Sequence, residues 1–158
     1  MLAIDEVLSE IQGAAVVKRA IKAPEVLNEA PDYGSAFSRG MRVDLNGLVI
    51  LFISGTASVD EAGRTVHVGD LRAQCRRTFH NITKLLEAEG ASWKDIIRTT
   101  CYLRDIDRDY KEFNEERTRF YNEQDLNPYP ASTGIQAKLC RSDLLVEIEA
   151  IAMFRKPE

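Results

Sequence analysis

The stretch Leu144-Leu145-Val146-Glu147-Ile148-Glu149-Ala150-Ile151-Ala152-Met153-Phe154 decides the fold. Side chains alternate across a strand. One face is therefore Leu144, Val146, Ile148, Ala150, Ala152 and Phe154, wholly apolar. The other carries Leu145, Glu147, Glu149, Ile151 and Met153. A strand at the edge of a sheet, facing water, would show a polar second face. This one is mostly apolar, yet holds two carboxylates, which are costly to bury without partners. Alternate residues on a strand lie ~7 Å apart, so the two acids are neighbours. Desolvated neighbouring acids raise one another's pKa, as proton-transfer groups often require.

The preceding run, Ala131 to Cys140, alternates too. Ala131, Thr133, Ile135, Ala137 and Leu139 form its apolar face; Ser132, Gly134, Gln136, Lys138 and Cys140 form the other. The short segment Arg141-Ser142-Asp143 suggests an antiparallel hairpin between the two runs. The polar set would then share a face with Glu147 and Glu149. A cross-strand Lys–Glu pair on a solvated sheet gives the same pattern as a site, so the alternation leaves both open.

Working outward, residues 3–12 read as a short amphipathic helix, with Ile4, Val7, Leu8 and Ile11 on the helical period. Residues 1–15 are thus an N-terminal extension, and 16–158 a single domain. Val16 to Ala23, Arg39 to Asp44 and Leu48 to Ser54 read as strands, the last two joined through Asn46-Gly47, a strong hairpin signal. Leu48 to Ile53 is apolar on both faces and belongs at the centre of the sheet. From Leu71 to Glu89 the steps Leu71, Cys75, Phe79, Ile82, Leu85 and Leu86 mark one helix face, with Asp70 as N-cap. Ile97 to Arg104 is another strand, with Ile97, Thr99, Cys101 and Leu103 on one face. A second helix starts at Asp107 or Asp109; Tyr110, Phe113, Arg117, Phe120 and Tyr121 recur along it as a core stripe.

The 158 residues hold 44% hydrophobic and 29% charged side chains, ordinary for a globular protein. The net charge of −4 offers no basic footprint for nucleic acid. No run of ~20 apolar residues would span a membrane, and the N-terminus lacks a secretory pattern. Cys75, Cys101 and Cys140 have no metal-ligand spacing. They read as free thiols of a cytoplasmic protein.

Glu147-Ile148-Glu149-Ala150-Ile151-Ala152, after Pro130-Ala131, resembles the C-terminal signature of the Rid/YjgF family. Ile97-Arg98-Thr99-Thr100-Cys101-Tyr102-Leu103 resembles the same family, and the likeness spans roughly residues 16 to 154. It implies an α+β, chorismate-mutase-like fold: a mixed sheet with two main helices on one face. A chain of this size has no third layer for the other face, so self-association covers it. The resemblance makes that a homotrimer with clefts between subunits. It also implies imine or enamine deaminase activity without metal or cofactor. The family's deaminases carry a carboxylate-gripping arginine directly after Pro-Ala. This chain has Ser132 there, which cannot make the bidentate pair of an arginine.

The family likeness implies Glu147 as the proton-transfer group, with Phe37, Arg39, Ser54, Gly55, Tyr102, Ser132 and Gly134 as substrate-binding positions and a non-standard cation for the carboxylate. A second resemblance is narrower. Cys140-Arg141-Ser142-Asp143-Leu144-Leu145-Val146-Glu147 is similar to a segment of chorismatases, which implies Cys140 as a second catalytic group beside Glu147. Three functions follow: an imine or enamine hydrolase, a chorismatase-like enzyme acting on a cyclic carboxylate, or a non-catalytic binder of a small metabolite. In each, the partner is a small molecule.

Overall fold

The structure, a computed structural model, describes residues 16–157. Six strands form one sheet: β1 (Val17–Ile21), β2 (Gly40–Leu45), β3 (Leu48–Ala57), β4 (Ile96–Leu103), β5 (Ala131–Gln136) and β6 (Val146–Arg155). Two helices, α1 (Leu71–Glu87) and α2 (Ile106–Glu123), pack on one face. The expected helix over residues 3–12 lies outside the described residues. No helix among them is long and apolar enough to cross a membrane.

The strand order is β1-β2-β3-β6-β4-β5. Strand β6 lies between β3 and β4, antiparallel to both. Its alternation is met as read: Val146, Ile148, Ala150 and Ala152 are buried, while Glu147, Glu149 and Ile151 are half-buried on the far face. The β2–β3 hairpin turns at Asn46 and Gly47, whose φ angles of 47° and 78° suit the tight turn expected of that pair. Strand β3 is central, as its two-faced apolarity required.

The expected hairpin between β5 and β6 does not form. Strand β5 instead pairs parallel with β4, in the register Thr99↔Ser132 and Cys101↔Gly134. Helix α2 carries the chain back from the end of β4, and such a crossover returns a strand parallel to the one it left. Strand β5 therefore ends at the sheet edge, and its expected apolar face is not buried; all six residues are exposed. Ser132 and Gly134 take the side of the buried Thr99 and Cys101, which is the helix side. They do not share a face with Glu147 and Glu149.

Three smaller expectations are corrected. The β4–β6 register shifts at Ile97, so Ile96 takes the core position and Ile97 bulges out exposed. Helix α2 begins at Ile106, one to three residues before the expected Asp107 or Asp109, because Asp105 caps it by accepting from the Arg108 N–H. Tyr110 leaves the core stripe and is exposed. Asp70 caps α1 as read, accepting from the Ala73 N–H.

The core under the helices stacks Phe79 on Phe120 at a 4.5 Å ring separation, with Trp93 edge-on to both. The two helices are also clamped by charge. Glu116, 2% exposed on α2, receives Arg72 at 2.7 Å and Arg76 at 3.1 Å from α1. The opposite sheet face has no helix among the described residues. It leaves Phe52 and Met153 exposed.

Candidate functional site

The uncovered sheet face holds a cleft of about 380 Å³. Phe37, Met41, Phe52 and Ile151 give it apolar walls, and Ser54, Thr100, Arg98 and Glu149 give it polar points. Strand geometry places these groups. Thr100 pairs with Glu149 across β4 and β6. Arg98 leaves the same face of β4 and donates from Nη2 to Thr133 Oγ1 at 2.7 Å.

A bulge shapes the neighbouring part of the face. Between Ile53↔Ala150 and Thr56↔Ile148, β3 has one residue more than β6. The bulge is tied down locally: Ser54 Oγ donates to the Ser38 carbonyl at 2.6 Å, and Thr56 Oγ1 donates to the Ser54 carbonyl at 2.8 Å. It brings Gly55 under the side chain of Glu147. A Cβ on Gly55 would fall 2.1 Å from Glu147 Oε1. Only a residue without a side chain lets the carboxyl rest there.

The two acids of β6 have different surroundings. Glu149 Oε1 accepts a hydrogen bond from Tyr102 Oη at 3.0 Å. Among the described residues no donor reaches the carboxyl of Glu147. Burial pushes the pKa of Glu147 up, and the charge of Glu149 adds to the rise. Burial likewise raises Tyr102, helped by its bond to Glu149. An acid held partly dry, without a donor, is suited to exchanging protons.

The residues singled out from sequence divide into groups. Phe37 and Ser54 line the cleft; Glu147, Gly55 and Tyr102 do not line it but lie further along the same face, beside Glu149 and Ser54. Arg39 does not line it. Its guanidinium donates to the Asn28 carbonyl at 2.8 Å and Oδ1 at 3.0 Å, and lies over the rings of Tyr33 and Phe37. Arg39 is 6% exposed, so it shapes the wall through Phe37. Cys140 is exposed in the loop between β5 and β6 and is not among the cleft residues. Ser132 and Gly134 lie on the other side of the sheet, beside α2. Ser132 Oγ accepts from Arg117 Nη1 at 3.0 Å, and Gly134 lies against the Tyr110 ring.

Arg98 and Thr100 were not expected at the site, nor was the contact of Arg117 with Ser132 on the other side of the sheet. Arg98 and Thr100 alternate with Tyr102 along β4, so the period marked their face. Nothing in the sequence marked Arg117, because its partner depends on the parallel pairing of β5.

A family model described as Endoribonuclease L-PSP matches residues 27–154. A RutC family protein of Pyrococcus horikoshii is 35% identical over 102 residues, covering 65% of this chain and 77% of that one. A 2-iminobutanoate/2-iminopropanoate deaminase of Salmonella typhimurium is 33% identical over 113 residues, covering 72% and 84%. Among solved structures, E. coli TdcF with bound serine superposes with a TM-score of 0.69 at 27% identity, covering 85% of this chain and 97% of that one.

Proposed function

This chain belongs to the endoribonuclease L-PSP (Rid/YjgF) family, and on that premise we propose that it hydrolyses the imine or enamine of a small carboxylated metabolite. The observation that carries the reading is Glu147. Its carboxyl rests on Gly55, has no donor among the described residues, and has its pKa raised by burial and by the charge of Glu149. The similar Salmonella protein is named a 2-iminobutanoate/2-iminopropanoate deaminase.

The chemistry needs only water and proton transfers. An enamine becomes an iminium by taking a proton on carbon. Water then attacks the iminium carbon, and Glu147 accepts the proton the water loses. Glu147 returns a proton to nitrogen, the C–N bond breaks as the hydroxyl gives up its proton, and a carbonyl compound and ammonia, carrying that proton as ammonium, leave. A raised pKa helps one carboxyl both take and return the proton.

In this reading the assembly is a homotrimer whose clefts join two copies. Two features support it. Phe52 and Met153 are exposed apolar groups on a sheet face that no helix covers. Glu147 and Ser132 also lie on opposite sides of one sheet, so a small molecule cannot touch both within one chain. The test is turnover of 2-iminobutanoate, released in situ by oxidation of the amino acid. The wild type should speed formation of 2-oxobutanoate and ammonia, and Glu147→Gln should abolish the effect. A wild type that gives no acceleration overturns the reading.

The chorismatase-like alternative asks Cys140 to act beside Glu147. Cys140 is exposed in the loop outside the cleft, and the hydrolase reading does not use it. The binder alternative keeps the cleft and drops the proton transfers; the same turnover test separates it.

A further inference from the structure

One row of side chains crosses the uncovered face of the sheet. Met41 lies opposite Phe52, Phe52 opposite Ile151, and Ile151 opposite Arg98. Directly opposed residues leave a sheet on the same side, so strands β2, β3, β6 and β4 build one floor. All of these residues line the cleft, and Phe37 closes it from the loop before β2. The rings of Phe37 and Phe52 are both exposed.

Glu147 stands outside this row but in line with it. Glu147, Glu149 and Ile151 alternate along β6. The Glu149 position is therefore ~7 Å from that of Glu147, and the Ile151 row ~14 Å. Thr100, opposite Glu149, and Ser54 make the middle step polar. Along one line the face presents a proton-transfer group, a polar step and an apolar floor.

A substrate that reacts at Glu147 covers the floor only with a side chain that crosses the step. The ethyl group of 2-iminobutanoate is shorter than the ~7 Å between rows. A benzyl group spans about one such step, and its ring then lies against the floor. The floor suits a ring. Phe37 and Phe52 offer aromatic contacts, and the Met41 thioether packs well on an aromatic face. Arg98, tied to Thr133 at 2.7 Å, ends the row with a guanidinium that can lie over a ring. The cleft volume of about 380 Å³ is that of a pocket for a ligand larger than a short-chain acid.

We propose that Met41, Phe52 and Ile151 form a side-chain subsite, and that the preferred substrates are 2-imino acids with an aromatic side chain. The proposal rests on the imine-hydrolase reading for the reacting group; the subsite itself follows from the floor.

The test compares two imines released in situ by an amino-acid oxidase, one from phenylalanine and one from 2-aminobutanoate. Calorimetry measures binding of their products, phenylpyruvate and 2-oxobutanoate. The wild type should favour the aryl imine about tenfold or more in kcat/KM and bind phenylpyruvate more tightly than 2-oxobutanoate. Phe52→Thr and Ile151→Thr keep a β-branched residue in the strand and remove apolar floor. Each should cut the aryl-to-ethyl ratio roughly tenfold. Circular dichroism and light scattering check folding and assembly, and Ile151→Thr carries the test should Phe52→Thr fail to assemble. Both imines turned over at equal kcat/KM, or a ratio unchanged in the folded variants, overturns the subsite and leaves the hydrolase reading standing. Tighter phenylpyruvate binding that the variants lose, without turnover of either imine, upholds the subsite and removes the hydrolase reading. Neither turnover nor binding overturns both.

Discussion

A methyl group on Gly55 would lie 2.1 Å from Glu147 Oε1, far inside van der Waals contact. The obstacle is the free end of a flexible side chain, not backbone. Gly55→Ala should therefore fold and assemble normally while displacing the carboxyl. Imine turnover should fall by at least tenfold, with the thermal midpoint nearly unchanged. Turnover equal to wild type would mean that the position of the carboxyl on the bulge is irrelevant to the chemistry.

Glu147 has a folded-state pKa above its ordinary 4.5, through burial first and the charge of Glu149 second. Such an acid binds its proton more readily folded than unfolded. Stability is then lost as pH rises above 4.5 and through the raised folded value. Glu147→Gln removes the buried charge, so it should melt higher than wild type at neutral pH. The difference should shrink as the pH is lowered toward 4.5. Melting curves of both proteins across that range check the sign; a gap that widens on acidification contradicts it.

Glu116 behaves in the opposite sense. Burial alone would push it up, but Arg72, Arg119 and Arg76 outweigh burial and hold it below its ordinary 4.5. Its stabilisation is complete above 4.5 and lost as pH falls through the depressed folded value. Glu116→Gln should cost about 1–3 kcal/mol at neutral pH, because it loses charged hydrogen bonds at a 2% exposed position. Urea unfolding measures this. The cost should diminish in acid.

The sequence made much of this legible where local periodicity decides the outcome. The alternation of Val146 to Ala152 set the core face of β6. The steps from Leu71 to Leu86 set α1, and Asn46-Gly47 set the β2–β3 turn. It failed where the outcome depends on which strands become neighbours. Ser132 and Gly134 alternate in step with Gln136 and Lys138 whether β5 pairs with β6 or with β4. Only the crossover through α2 moves them to the helix side and brings Ser132 to Arg117. Ile97 misled for a related reason, since a bulge shifts the face without disturbing the apolar pattern. The placement of Glu147 also depends on the extra residue in β3 that slides Gly55 beneath it, which no spacing announces.

The pH dependence of kcat/KM for imine hydrolysis reads the ionisation of Glu147 itself. Glu147 must be ionised to take the proton from water, so activity should fall on the acid side through a pKa above the ordinary 4.5. In Glu147→Gln that limb should vanish along with the turnover. An acid limb at or below 4.5, or substantial turnover in Glu147→Gln, would contradict the account.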